Sequence, residues 1–152
     1  MNALSNIDIT RILGESDITI NGVLSKDLLP HEIQSGWYII NLENHNDGGG
    51  THWTCFYKSP DNGTDSIYFD SFGFDAPEHL HKSLGVYEYN NQEIQDIESS
   101  CCGYFCIGLI KFAKDINVRP QIAMHRFKAH FSRHTVLNDF RLRILFLYPN
   151  CT

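Results

Sequence analysis

Two β-forming runs joined by a tight-turn signal, with a third run just ahead of them, place the strongest constraint on how this chain folds. Residues 51–58 read THWTCFYK and residues 65–72 read DSIYFDSF. Between them lies SPDNGT, in which Asn62–Gly63 tolerates the positive φ that a hairpin turn demands. Residues 36–42, GWYIINL, set two aromatics and two isoleucines in succession and predict a buried strand. Residues 86–89 predict a fourth, short one. The hairpin carries His52 on its outgoing arm and Asp70 on its returning arm.

After Glu98 the periodicity becomes helical. Phe105, Ile107, Leu109, Ile110 and Phe112 predict a mostly buried helix ending near Asn117, with Ser99 or Ser100 as its N-cap. Residues 121–134 predict another helix, with Ile122, Met124, Phe127 and Phe131 on its apolar side. Residues 4–13 suit a short helix, and residues 18–29 hold turn signals at Asn21–Gly22 before Pro30. The apolar stretch 142–148 is open between strand and helix end. The sum is an α+β fold, a small mixed or antiparallel sheet packed against helices. No repeat or linker divides the chain, so a single domain over residues 1–152 is expected. A chain of this length buries roughly two thirds of its unfolded surface without needing disulfides.

Five cysteines are an odd count without the spacing of a small secreted scaffold. The first residues lack a basic segment followed by an apolar run, and no apolar stretch approaches the ~20 residues of a membrane span. The expectation is a reducing, intracellular setting with free thiols and no membrane. The net charge of −6 argues against a general nucleic-acid coat, yet it is unevenly spread. Residues 1–110 hold four Lys/Arg against sixteen Asp/Glu, and residues 111–152 hold eight against two. Such a split marks either a face for DNA or another polyanion on residues 111–152, or two parts that pack together and neutralise each other.

Three of the five cysteines crowd into CCGYFC, residues 101–106, at the start of the central helix. Structural zinc sites space their ligands in pairs, whereas Cys102 and Cys106 stand four apart on a helix and Cys101 is merely adjacent. His125, His130 and His134 lie on another helix, where only the last two share a face. No metal or other cofactor is expected. A cysteine at a helix N-terminus, by contrast, meets unpaired amide dipoles that favour thiolate over thiol. A glycine after it brings backbone close to a substrate carbonyl, and a nearby imidazole with an orienting carboxylate completes a thiol nucleophile's needs.

Taken jointly, GGTHW (49–53), YFDSFG (68–73) and QDIESSCCGYFC (95–106) resemble the adenain-type cysteine proteases. These are the maturation proteases of adenoviruses, virophages and large DNA transposons, in one clan with the SUMO- and ubiquitin-like-protein proteases. The likeness runs from about Gly36 to Phe112 and rests on the order His, acid, Gln, Cys, with Gln95 seven residues before Cys102. It implies an adenain-like fold with Cys102 as nucleophile, His52 as general base and then acid, and Asp70 as the orienting carboxylate. Gln95 would supply the oxyanion-hole amide with the Cys102 backbone N–H. Trp53 and Gly103 would belong to the substrate channel, Trp53 as a wall that admits glycine beside the scissile bond.

The implied activity is endoproteolysis at Gly-Gly or Gly-x sites, on a polypeptide such as a viral or virophage capsid precursor, in the host cytoplasm, its viral factories and the virion. The alternatives are cleavage of ubiquitin or SUMO conjugates, and a non-catalytic binding module of the same fold. Cys101 and Gln92 are rivals disfavoured by spacing, and Asp75 is a rival to Asp70. Cys55 and Cys106 read as core. Residues 113–152 match no motif of the family, so neither the activating peptide nor the DNA that the adenovirus enzymes engage is implied.

Overall fold

The computed structural model describes residues 1–46, 52–60 and 63–147; the glycines at 48–50, Thr51, Asn62, Tyr148 and Cys151 lie outside the described residues. Strands β1 (Gly22–Ser25), β2 (Gly36–Asn41), β3 (Trp53–Lys58), β4 (Ile67–Phe69) and β5 (Glu88–Tyr89) form one mixed sheet in sequence order. The inner pairs β2–β3 and β3–β4 are antiparallel, and the edge strands β1 and β5 run parallel to their neighbours.

Alternation along the strands sorts side chains onto two faces. Ile39, Trp53, Cys55, Ile67 and Phe69 point to the larger core. Tyr38, Ile40, Phe56 and Tyr68 point to the other side, where helix α2 (Glu78–Leu84) covers them with Leu80 and Leu84. The larger face is filled by α3 (Cys102–Ile116), nine of whose fifteen residues are buried, which makes it the central helix. Around it pack α1 (Asn6–Glu15), α4 (Pro120–Lys128) and α5 (Asn138–Leu142), the last running into a π-helical turn at Arg143–Leu147. Among the described residues no helix is long and apolar enough to cross a membrane.

Local chemistry explains most boundaries. The Ser5 hydroxyl accepts from Asp8 N–H (3.1 Å), and the Asp8 carboxylate accepts from Ser5 N–H (2.9 Å), a reciprocal cap that starts α1. Asn117 closes α3 in the left-handed region at φ 50°. Helix α3 begins at Cys102 with Cys101 as its cap residue, not at Ser99 or Ser100. The Ser99 hydroxyl accepts from Cys101 N–H (3.1 Å) and donates to Asp139 Oδ1 (2.9 Å), so it is spent bracing the approach to the helix.

Helix α4 stops at Lys128, well short of His134, because the chain tightens into three-residue turns, His130 N–H to Phe127 O and Phe131 N–H to Lys128 O. That reversal lets Phe131 fold back onto Phe127, and His130 packs between the rings of Phe112 and Phe146 rather than sharing a helical face with His134. Residues 142–147 are helical, which delivers Phe146 to the same cluster. Strand β1 has no counterpart in the sequence-based expectation, since it is a short, half-buried edge that begins on the Asn21–Gly22 turn signal. Strand β4 is shorter than residues 65–72, as the chain bends at Asp70.

Phe127 sits at the meeting point of sheet and helices, fully buried, with ring centroids 4.6 Å from Phe146, 5.1 Å from Phe131 and 5.8 Å from Phe69. Phe127→Ala is expected to cost about 3–5 kcal/mol of unfolding free energy, read from the urea midpoint at unchanged slope.

Candidate active site

The β3–β4 register places Cys55 opposite Phe69, so His52, just before β3, and Asp70, just after β4, overhang the same end of the pair. Their side chains meet there, with His52 Nε2 2.8 Å from Asp70 Oδ1. The carboxylate is buried at 1% exposure, and the same oxygen also accepts from Phe72 N–H at 2.8 Å. A turn closed by Gly73 N–H to Asp70 O (2.8 Å) holds this geometry. Gly73 has φ +83°, and a Cβ there would meet the Gln92 carbonyl carbon at 2.8 Å, so both conformation and space call for glycine. Buried Asn90 clamps the turn from below, donating to Asp70 O (3.2 Å) and Gln92 O (2.9 Å). Phe72 lays its ring over the imidazole at 4.9 Å, shielding it from water.

Cys102 is the first residue of α3, where the leading N–H groups lack intrahelical acceptors. The residue is 6% exposed, and its sulfur accepts from the Trp53 backbone N–H at 3.3 Å. With Nε2 committed to Asp70, Nδ1 is the ring nitrogen left for the sulfur. Burial pulls the His52 pKa down, but the Asp70 hydrogen bond and the adjacent Cys102 sulfur outweigh it and hold the pKa up at about 9. Trp53 knits the site together: its indole N–H donates to Leu4 O (2.8 Å) and its carbonyl accepts from the Cys106 thiol (3.6 Å).

The other cysteines stand differently. Cys101 is buried, burial pushes its thiol up to about 11, and its sulfur lies 4.0 Å from Met1 O. Cys106 is wholly buried beside Cys55, and both effects raise its thiol well above the ordinary range. Asp75 accepts from the Tyr87 hydroxyl and Ala76 N–H, and so belongs to the surface around α2.

Gln95 lies on the loop that leads into α3 and is 1% exposed. Its backbone N–H donates to Ser71 O (3.0 Å), its side-chain Oε1 accepts from the Ser71 hydroxyl, and its Nε2 donates to Ser99 O (2.9 Å). Gln92 is tied instead to Asn90 through its backbone. His52, Gln95 and Cys102 all border one cavity of about 260 Å3. Trp53 forms part of its wall, Phe72 and Ile97 stand on its sides, and Ala3 and Leu4 close it from the N-terminal segment. Gly103 faces elsewhere: a Cβ there would lie 3.3 Å from Leu4 and 3.4 Å from Ile9, so the room it leaves lets α1 approach α3.

Sequence patterns did not point to Ser71, Phe72, Asn90 or the N-terminal wall. The only available signal was the placing of Ser71 and Phe72 immediately after Asp70 in YFDSFG. Nor did they reveal what residues 132–139 do. Asn138 donates to Ile94 O (2.8 Å), Thr135 to Asp96 Oδ2 (2.8 Å), and Asp139 accepts from Ser99, so this segment braces the loop carrying Gln95. Among the described residues, side-chain ion pairs also link the basic part to the acidic one, Arg119 to Asp65 at 3.7 Å and His125 to Glu88 at 2.8 Å.

The chain matches no protein-family model and no curated protein.

A raised His52 pKa means the folded state holds that proton more tightly than the unfolded chain. Its contribution, about 3 kcal/mol, is complete below about pH 6.5 and is lost as pH rises towards 9. Unfolding free energy from urea titrations should therefore fall across that window, and His52→Gln should flatten the fall.

Proposed function

We propose that this protein is a cysteine endopeptidase with an adenain-like fold. The observation that carries the reading is the one cavity bordered by His52, itself paired with buried Asp70, by Cys102 at the first position of α3, and by the buried Gln95. Shared folds host many chemistries, so the weight falls on the site.

In the mechanism, Asp70 fixes the His52 ring through Nε2–H and leaves Nδ1 facing the sulfur. A pKa near 9 keeps the ring protonated at neutral pH, which sets a cation and proton donor beside the sulfur. The sulfur attacks the scissile carbonyl carbon, and the C–O double bond's electron pair moves onto oxygen. Gln95 Nε2–H and N–H groups at the start of α3 receive that charge. His52 gives its Nδ1 proton to the leaving amine as the C–N bond breaks. Neutral His52 then takes a proton from water, whose oxygen attacks the thioester and releases the acid and the thiolate.

The substrate is a polypeptide with glycine next to the scissile bond, since the cavity is small and walled by Trp53, Phe72 and Ile97. Capsid-precursor maturation in an infected cell's cytoplasm and in the virion is the biological setting that the motif resemblance suggests.

A peptide library containing Gly-Gly and Gly-x sequences, incubated under reducing conditions, tests the activity. The wild type should cut a glycine-containing subset, Cys102→Ala should cut none, and Gln95→Ala should lose about 100-fold or more in kcat. Equal cleavage by wild type and Cys102→Ala, or no cleavage by either, would overturn the proposal. Fluorogenic ubiquitin and SUMO substrates should remain intact; their rapid hydrolysis would move the substrate class to ubiquitin-like conjugates.

Iodoacetamide at mildly acidic pH should alkylate Cys102 ahead of Cys55, Cys101 and Cys106, as mapped by mass spectrometry. Uniform labelling would favour a binding module that keeps the fold without the chemistry.

A further inference from the structure

An amide side chain serves an oxyanion only when its NH2 end faces the reacting oxygen. The two ends of a glutamine amide have nearly the same shape, so sterics alone do not choose between them. A carbonyl turned into the cavity would repel the charge it should stabilise. In this protein Gln95 Oε1 accepts from the Ser71 hydroxyl while Nε2 donates to Ser99 O at 2.9 Å. Ser99 O is a backbone carbonyl and cannot be altered by substitution. Ser71 is a side-chain anchor, completely buried.

From this geometry we infer that Ser71 is a positioning residue, whose hydroxyl holds Gln95 Oε1 and so keeps the Nε2 end, bonded to Ser99 O and 3.4 Å from the Ser99 hydroxyl, as the end offered to the cavity. The inference rests on the protease reading of the same site. Ser71 also follows Asp70 directly, and its carbonyl accepts from Ile94 N–H (2.9 Å) and Gln95 N–H (3.0 Å). One residue thus ties the strand end that orients His52 to the loop that carries the amide. A turn rigid about Asp70 delivers both halves of the catalytic apparatus in one register.

The test is a double-mutant cycle on a cleaved glycine-containing peptide. Ser71→Ala should lower kcat about tenfold with KM little changed, as expected for loss of one buried anchoring hydrogen bond. The same change in a Gln95→Ala background should lower kcat no further. Binding of a peptide aldehyde, which forms a tetrahedral adduct on the sulfur, should weaken in step with kcat. Alkylation of Cys102 by iodoacetamide, which develops no oxyanion, should keep its wild-type rate.

Should Ser71→Ala fail to hold its fold by circular dichroism, Ser71→Cys, nearly isosteric and a weaker donor, serves the same cycle with an intermediate loss expected. Wild-type kcat in the variant, a further loss in the Gln95→Ala background, or a parallel drop in alkylation rate would each overturn the inference. These outcomes differ from failure of the protease reading itself, in which the wild type cleaves nothing and binds no aldehyde, and this inference falls with it.

Discussion

Everything at the site depends on two side chains meeting beyond the paired ends of β3 and β4. His52 and Asp70 are 18 residues apart in the chain, yet the antiparallel ladder brings their atoms to 2.8 Å. The ladder alone does not secure that contact, because both residues lie just outside the paired segments. The turn after Asp70 does, through Phe72 N–H, the Gly73 bend and the Asn90 clamp. A buried carboxylate is tolerable only when its oxygens find donors, and Asp70 finds them in an imidazole and a backbone amide.

The second half of the site comes from the opposite structural logic. Cys102 is placed by a helix whose body is deep in the core and whose first turn touches β3. Moving that helix would mean repacking Phe105, Leu109 and Ile110, so the sulfur's position inherits the rigidity of the core. The same core holds the aromatic cluster about Phe127, far along the chain, and residues 132–139 fasten the loop before Cys102. What reads in the sequence as a featureless basic tail therefore supports the site mechanically.

How much of this could be read in advance follows from range of interaction. The strands of residues 36–42, 51–58 and 65–72 and the helix from Cys102 announce themselves through local periodicity and turn residues. The positions His52, Asp70, Gln95, Trp53 and Cys102, picked from the sequence, lie around one cavity or beside it. The resemblance places Gly103 in the substrate channel, whereas in the structure its open side meets Leu4 and Ile9, a contact between residues more than ninety positions apart that no local pattern encodes. Ser99 looked like a helix cap because serine often is one, but a partner forty residues away, Asp139, competes for its hydroxyl. The end of α4 and the helical form of residues 142–147 were set by where Phe131 and Phe146 had to go, a tertiary demand that overrides propensity.

The cavity's wall at Ala3 and Leu4 has a consequence for the order in which the molecule becomes whole. The indole that seats Leu4 lies about fifty positions further along the chain, and the sulfur it flanks about a hundred. The brace through Thr135, Asn138 and Asp139 arrives later still. The cavity and its brace therefore come together only once the chain through Asp139 is present.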